Sequence, residues 1–234
     1  MSIIWEDLRL AETGFEKVII MKDIIIICAG GFGRETAELI ADINDVNPEW
    51  NLLGFVDDNK EIQGKEINGY QVLGGIDYLN DYRGSIYTIC AVADCKIKQK
   101  IISRLTNPGI RFASLIHLTA VISRSLEMGE GIIIQANTVI TSNVKIADHV
   151  AISPQCGLGH DCFIDKYSTL FWNVNIGGFV CIGEGVLLGT KTFVIQERSI
   201  GSWSIIGSHS NVIRDIPQNC TAVGNPAKVI KYHS

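Results

Sequence analysis

The sequence predicts a small Rossmann-like α/β part with a parallel sheet, followed by a left-handed parallel β-helix. Two observations lead to this fold class. Buried strand patterns alternate with helical patterns up to about residue 115. An aliphatic residue then recurs at every sixth position from Ile116 to Val212. We therefore predict an α/β domain over residues 22–115 and a β-helix with a C-terminal tail over 116–234. Residues 1–21 are interpreted as an N-terminal extension, since Met21 stands just before the first strand pattern.

The α/β prediction rests on the order of the elements. Ile24–Cys28 is wholly apolar and mostly β-branched, the pattern of a strand buried on both faces, and a glycine turn follows it directly. Alternation of this kind implies a parallel sheet that holds ligands at the carboxyl ends of its strands. The remaining predicted elements are helices at residues 34–43, 76–82 and 96–105 and strands at residues 52–56 and 86–92.

The glycine turn after the first strand is a candidate phosphate cradle. Gly30 and Gly31 allow a close backbone approach at the start of a helix, where free N–H groups attract anions. Asp57 and Asp58 end the second predicted strand, where carboxylates accept hydrogen bonds from sugar hydroxyls. The turn lacks the third glycine of a dinucleotide fingerprint, and the sheet is too small for a two-half NAD fold. Nucleotide or nucleotide-sugar binding is favoured over NAD(P), with an unliganded tight turn as the third interpretation.

The second half of the chain is an internal repeat of six residues. Such a period fits neither a helix nor a long strand, but it fits a coil of three short sides per turn, in which every eighteenth residue stacks. Arg198 falls on a position that is otherwise small, which predicts a change of register or a bulge in the last turns. The aliphatic positions are Ile116, Ile122, Met128, Ile134, Ile140, Ile146, Ile152, Leu158, Ile164, Leu170, Ile176, Ile182, Leu188, Val194, Ile200, Ile206 and Val212.

One polar segment interrupts the repeat at Gly159-His160-Asp161. His160 lies two places after an inward aliphatic residue, so it should point away from the core. Its stacking neighbours are Ser142 and Gly178, and the glycine leaves room beside the imidazole. An outward histidine beside an open slot suits a general base at neutral pH, whereas the alternative is a solvated or interface histidine. Adjacent residues on a flat side point in opposite directions, which argues against a contact with Asp161.

The other chemistry-bearing residues receive plainer interpretations. His117, His149 and His209 are interpreted as solvated or interface side chains. No second ligand falls at a suitable spacing on the same side as His160, so we predict no metal site. The seven cysteines are odd in number and lack CxxC spacing, which favours buried thiols of a reducing cytoplasm.

Composition excludes several classes of protein. The 234 residues are 47% hydrophobic and 19% charged, which argues against disorder, and the net charge of −5 argues against a nucleic-acid partner. No apolar run reaches the roughly 20 residues needed to span a membrane. The start of the chain shows no signal-peptide pattern, so we predict a cytoplasmic protein.

Five segments in order carry a family resemblance. They are residues 28–35, 54–58, 116–123, 159–162 and 223–228, read as CAGGFGRE, GFVDD, IHLTAVIS, GHDC and VGNPAK. The chain resembles the sialic-acid O-acetyltransferase (NeuD) and amino-sugar N-acetyltransferase (PglD) family of bacterial hexapeptide acyltransferases. The resemblance covers about residues 22–232.

The resemblance implies a homotrimer that binds acetyl-CoA between neighbouring coils and a nucleotide-sugar in the N-terminal domain. It implies that His160 is the general base and that the Asp161 carboxylate supports it. The implied coenzyme contacts are Thr169, Gly178, Thr190, Ser208 and Lys228. The implied nucleotide-sugar contacts are Gly30, Gly31, Phe32, Asp57, Asp58 and Asp94.

Two positions depart from members that act on amino sugars. Those members often have histidines where this chain has Phe32 and Thr169. The resemblance implies transfer of an acetyl group from acetyl-CoA to the amino group of a nucleotide-linked amino sugar, in surface polysaccharide or glycan synthesis. One alternative is O-acetylation of sialic acid or of another free hydroxyl acceptor such as serine. A second is a non-enzymatic trimeric scaffold or ligand sensor.

Overall fold

The structure is a computed structural model that describes residues 21–233. Residues 1–20, and with them nearly all of the predicted N-terminal extension, lie outside the described residues.

The first part of the chain is a six-stranded sheet with the strand order β3-β4-β2-β1-β5-β6. All of its pairings are parallel except the β3–β4 hairpin. β1 is central, and its residues Ile24–Ile27 are at most 1% exposed because apolar clusters cover both faces of the sheet. The elements are β1 Lys22–Ile27, α1 Gly31–Val46, β2 Trp50–Val56, β3 Glu66–Ile67, β4 Tyr70–Gly74, α2 Asp77–Asn80, β5 Ile86–Cys90, α3 Cys95–Ile102 and β6 Ile110–Phe112.

The second part is a left-handed β-helix, as the repeat predicts. Two-residue strands pair in parallel with partners eighteen residues away and form three flat faces. We call these face 1, face 2 and face 3 in the order in which the chain visits them. Face 1 contains β7 Leu115–Ile116, β10 Ile133–Ile134, β13 Ala151–Ile152, β16 Thr169–Leu170, β19 Leu187–Leu188 and β22 Ile205–Ile206, and it is extended by β24 Cys220–Val223 and the antiparallel β25 Lys228–Tyr232. Face 2 contains β8 Val121–Ile122, β11 Val139–Ile140, β14 Gly157–Leu158, β17 Asn175–Ile176, β20 Phe193–Val194 and β23 Asn211–Val212. Face 3 contains β9 Glu127–Met128, β12 Lys145–Ile146, β15 Phe163–Ile164, β18 Cys181–Ile182 and β21 Ser199–Ile200.

The aliphatic ladder forms the core of this coil. From Ile134 to Val212 each ladder position is buried. Met128 is 37% exposed, because it lies in the first turn of face 3, where β12 is the only strand that pairs with β9. Between the faces the chain turns through a residue with positive φ, such as Asp161 at 58°, and this conformation recurs every six residues along the coil.

The register holds at Arg198 and changes one turn later. Cys181 pairs with Ser199 and Ile182 with Ile200, at the regular spacing of eighteen. The change of register predicted for the last turns therefore occurs, but one turn beyond Arg198 itself. Its side chain leaves the core, donating to the Gln196 carbonyl at 3.3 Å. The next turn is shorter, since Ile200 bridges to a residue only sixteen positions on, Ile216.

The six-stranded sheet and its helices, which we call the sheet part, cover the N-terminal turns of face 1. The outward residues Leu115, Ile133, Ala151 and Thr169 are at most 2% exposed. The first three belong to one apolar cluster with Leu39 of α1. Among residues 21–233 no helix has the length and hydropathy needed to cross a membrane.

Candidate active site

His160 lies at the corner of the coil that joins face 2 to face 3. We call this corner, residues 159–161 with those stacked eighteen positions above and below, the His160 corner. The His160 side chain is 57% exposed, as an outward position predicts. Its ring stands edge-on to Phe179, with 5.1 Å between the centroids.

Asp161 contacts His160 directly. Its Oδ2 lies 2.8 Å from His160 Nδ1, and its Oδ1 accepts a hydrogen bond from Asn143 Nδ2 at 3.0 Å. The argument from alternating side chains fails here, because the chain turns at Asp161 instead of running flat. The hydrogen bonds from His160 and Asn143 hold the pKa of the Asp161 carboxyl below its usual value. An ionised carboxylate only accepts, so the shared proton is on Nδ1 and the Nε2 lone pair is free to take a proton.

Two glycines shape the space around this ring. A Cβ on Gly159 would lie 2.7 Å from the backbone of Gly177 and Gly178, so the close stacking of the two turns requires glycine there. A Cβ on Gly178 would lie 2.6 Å from His160 Cε1 and 2.7 Å from Nε2. The open slot predicted above His160 therefore exists, and the imidazole occupies its edge. Among the described residues, none accepts a hydrogen bond from the Gly178 N–H.

The predicted coenzyme contacts lie on several parts of the coil. Gly178 belongs to the His160 corner. Thr190 and Ser208 stack eighteen residues apart on a different corner, the one that joins face 1 to face 2, and we call it the Thr190 corner. Thr190 is half-buried and Ser208 is exposed. Lys228 is exposed on β25, at the C-terminal end of face 1. The structure thus brings Gly178 to His160 and separates it from Thr190 and Ser208 by the width of face 2.

Thr169 lies on face 1 beneath the sheet part. It is 1% exposed, and its Oγ1 accepts a hydrogen bond from Lys98 Nζ at 2.9 Å. In this chain the side chain at position 169 is therefore a hydroxyl that already accepts a hydrogen bond from a lysine of α3. The structure does not bring Thr169 together with His160 within one protomer.

A cavity of about 420 Å³ opens at the carboxyl ends of β1 and β2. This is the edge of a parallel sheet where ligands bind. Asp57 and Asp58 line it, as the strand ends predict. The other lining residues are Ile27, Cys28, Val56, Ile76, Val92, Ile97, Lys100, Ile101 and Arg104.

Both aspartates already accept hydrogen bonds from backbone N–H groups. Asp57 accepts from the N–H of Ala29 at 3.0 Å, which ties the end of β2 to the glycine turn. Asp58 accepts from the N–H of Ile76 at 3.0 Å and forms an ion pair with Arg104. That guanidinium, followed by the backbone bond, holds the pKa of the Asp58 carboxyl below its usual value.

The sequence analysis missed the two basic residues of this cavity. Lys100 and Arg104 are four residues apart and both line it. That spacing within the predicted helix 96–105 was the available signal, although the helix ends at Ile102 and Arg104 lies just beyond it. Arg104 is paired with Asp58, so Lys100 is the basic lining residue that forms no ion pair among residues 21–233.

The remaining predicted nucleotide-sugar contacts do not line this cavity. Gly30 and Gly31 are exposed at the start of α1, and Phe32 is partly buried against the cluster that joins α1 to face 1. Asp94 caps α3 by accepting from the Ile97 N–H at 2.9 Å. Its side chain borders a second, smaller cavity of about 130 Å³ on the other side of α3, so the structure does not bring it together with Asp57.

The other histidines differ from His160 in their surroundings. His149 is 6% exposed, between the rings of Phe112 and Tyr167, and burial lowers its pKa to about 4. His117 pairs with Asp42 of α1 at 3.1 Å. Over residues 21–233 there is no group of three or more side chains arranged to hold a metal ion.

Comparisons with known proteins agree with this geometry. The family model of the PglD N-terminal domain matches residues 23–105. The GDP-perosamine N-acetyltransferase of Escherichia coli O157:H7 is 28% identical over 212 residues, which cover 88% of this chain and 95% of that protein.

Two solved structures are similar over nearly the whole described chain. The acetyltransferase domain of PglB from Neisseria gonorrhoeae, in complex with acetyl coenzyme A, is 28% identical with a TM-score of 0.82, covering 90% of this chain and 100% of that one. PerB from Caulobacter crescentus, in complex with CoA and GDP-perosamine, is 26% identical with a TM-score of 0.79, covering 91% and 99%. The sheet part and the coil are thus found together in these relatives: residues 23–105 form a domain of the PglD N-terminal family, and the chain as a whole is an acetyltransferase similar to the NeuD/PglD-type sugar acetyltransferases.

Proposed function

We propose that the protein transfers the acetyl group of acetyl-CoA to the amino group of a nucleotide-linked amino sugar, with His160 as general base. One observation carries the proposal: the Nδ1–H of His160 is held by the Asp161 carboxylate at 2.8 Å, which leaves Nε2 exposed beside Gly178. A relative named GDP-perosamine N-acetyltransferase and a similar structure that holds CoA and GDP-perosamine supply the reaction class.

The mechanism follows from these groups. His160 Nε2 removes a proton from the acceptor amine as its nitrogen attacks the thioester carbonyl carbon. Asp161 stabilises the imidazolium that forms and fixes the tautomer of the ring. The free N–H of Gly178 can donate to the oxyanion of the tetrahedral intermediate. Collapse of that intermediate breaks the C–S bond, and the imidazolium returns its proton to the thiolate of CoA.

The cavity of the sheet part suits the nucleotide half of the acceptor. Lys100 supplies positive charge for a diphosphate, and the Arg104 guanidinium that pairs with Asp58 has further N–H donors. Asp57 and Asp58 retain unshared lone pairs for ribose or sugar hydroxyls, and the apolar lining gives room for a base. The start of α1 at Gly31 is a further place where backbone N–H groups can bind a phosphate, whereas the Gly30 N–H already donates to Cys28 Sγ at 3.4 Å. The Lys100 ammonium and the apolar lining favour a nucleotide-linked acceptor over serine.

The placement of the two corners supports a homotrimer, which is part of the proposal. The cavity at the carboxyl ends of β1 and β2, which we call the acceptor cavity, belongs to the part of the chain that covers face 1. The His160 corner lies on the opposite side of the coil. Face 2 lies between the His160 and Thr190 corners, and its outward residues Val121, Val139 and Phe193 are 63%, 44% and 46% exposed. Three copies that bury face 2 around a common axis place the His160 corner of one beside the Thr190 corner of the next.

This arrangement completes the site from two copies. Acetyl-CoA would lie between His160 and Gly178 of one protomer and the corner of the next that carries Thr190 and Ser208. The acceptor would come from the sheet part of that same neighbour. Because both substrates are made in the cytoplasm, we assign the protein to that compartment.

A thiol-release assay tests the proposal. Acetyl-CoA is offered with GDP-, UDP- and dTDP-linked amino sugars, with sialic acid and with serine. We expect release with a nucleotide-linked amino sugar, and a fall in kcat of about 10²–10⁴ in His160→Ala. His233→Ala is the matched control, since His233 bonds to Thr221 on face 1 and lies away from the His160 corner. Thiol release only with sialic acid or serine would show that the acceptor is not a nucleotide-linked amino sugar. A wild-type kcat in His160→Ala would exclude His160 as the base.

A further inference from the structure

Helix α3 has two different sides. Ile97, Lys100 and Ile101 on one side line the acceptor cavity, together with Arg104 just beyond the helix. The other side faces the coil through Cys95 and Lys98, which are 5% and 0% exposed. One helix therefore both lines the acceptor cavity and attaches the sheet part to the coil.

Lys98 contacts the coil through its ammonium group. Its Nζ lies 3.1 Å from the carbonyl oxygen of His149, 3.3 Å from that of Tyr167 and 2.9 Å from Oγ1 of Thr169. The carbonyl oxygen of Ser168 is slightly farther, at 3.5 Å. These acceptors belong to two successive turns of the coil, so one side chain holds both.

The contacts suit the charged form of the amine, although burial lowers the pKa of Lys98. An ammonium has three donors for the surrounding oxygen atoms, whereas a neutral amine has only two and would need the Thr169 hydroxyl to donate to its lone pair. Among residues 21–233 no ion pair includes Lys98. Burial of an unpaired charge is costly, so packing alone would favour an apolar side chain here. Compared with an apolar side chain, the lysine adds directional hydrogen bonds between α3 and the coil.

We propose that Lys98 is a positioning residue that fixes α3, and with it the wall of the acceptor cavity, at one place on face 1. The inference rests on the proposed function, in which a nucleotide in that cavity must present its amino group to the His160 corner of a neighbouring copy. Lys98 acts through α3 and touches neither substrate. Placement matters because an error of about 1 Å between reacting groups can cost on the order of 10² in rate.

The test compares Lys98→Met with Lys96→Met. Methionine keeps the length and apolar stem of lysine but removes the ammonium, and Lys96 is an exposed residue of the same helix. In Lys98→Met we expect hydrogen exchange of the α3 amides at least about tenfold faster, with exchange in the coil unchanged. We expect kcat to fall about tenfold, while calorimetric affinity for GDP, UDP or dTDP stays within about twofold, because no cavity residue is removed. Lys96→Met should match the wild type.

Each outcome decides the proposal. Unchanged exchange and kcat in Lys98→Met would overturn it, and so would a parallel loss of kcat, nucleotide affinity and folded protein, which indicates a structural role only. If Lys98→Met does not fold, Thr169→Val removes one acceptor with its shape kept, and α3 exchange should still rise about threefold. If the wild type acetylates no nucleotide-linked amino sugar, the proposed function fails, and the exchange comparison alone decides whether Lys98 fixes α3.

Discussion

Replacing Gly178 by alanine tests the geometry of the His160 corner most directly. The added Cβ would lie 2.6 Å from His160 Cε1, whereas ordinary contacts begin at 3.4 Å. Gly178 has no positive φ, so alanine fits the backbone and the strain falls on the imidazole. The ring is exposed and can swing outward by about 1 Å, which should lower kcat by about 10², or ~2.7 kcal/mol of transition-state stabilisation. The melting temperature should stay close to that of the wild type.

The assay is steady-state thiol release, together with a double-mutant cycle. If Gly178→Ala acts by displacing the imidazole, it should cost little more once His160 is already alanine. Gly74→Ala is the control, because its Cβ meets only ordinary contacts from 3.4 Å outward. A further 10²-fold loss in the double variant would refute the reasoning and assign Gly178 a role apart from the ring. Full activity in Gly178→Ala would refute the position of the base.

Two further variants test titratable groups, one at the His160 corner and one buried between Phe112 and Tyr167. Asp161→Asn replaces the carboxylate by an amide that can donate to Nδ1, which favours the wrong tautomer of His160. We expect kcat to fall at least about 10²-fold, with the KM for acetyl-CoA nearly unchanged. An unchanged kcat would show that Asp161 does not hold the ring. His149 has a folded pKa of about 4 against 6.5 when unfolded, so the unfolded chain binds more protons between these values and stability is lost as pH falls from 6.5 towards 4. This contribution is about 3 kcal/mol at most, and thermal melts at pH 4.5 and 7 should show a smaller difference for His149→Phe than for the wild type.

Local pattern was sufficient for most of the fold. The six-residue ladder fixes which side chains enter the coil, since stacking at eighteen residues leaves little freedom in a core of Ile, Leu and Val. The buried run Ile24–Ile27 likewise specifies a central strand. Arg198 predicted a change of register in the last turns, but the ladder did not locate the shortened turn after Ile200, because a loss of two residues in one turn leaves the aliphatic spacing before it intact.

The site was predicted less completely, because its parts come from distant segments. His160 and its slot at Gly178 follow from spacing alone. The contact with Asp161 depends on the positive φ of a corner residue, which alternation rules do not describe. Arg104 was missed since only the packing of α3 over the sheet brings it to Asp58, 46 residues earlier in the chain.

The sequence by itself determined a two-part chain with an outward histidine on a regular coil, because short periods report directly on local geometry. The tertiary structure decided which face of the coil the sheet part covers. Thr169 and Lys98 illustrate the difference: neither is unusual in sequence, yet they meet 71 residues apart in a fully buried contact. Such a contact depends on how two preformed surfaces fit together, and no periodicity along one chain encodes that fit.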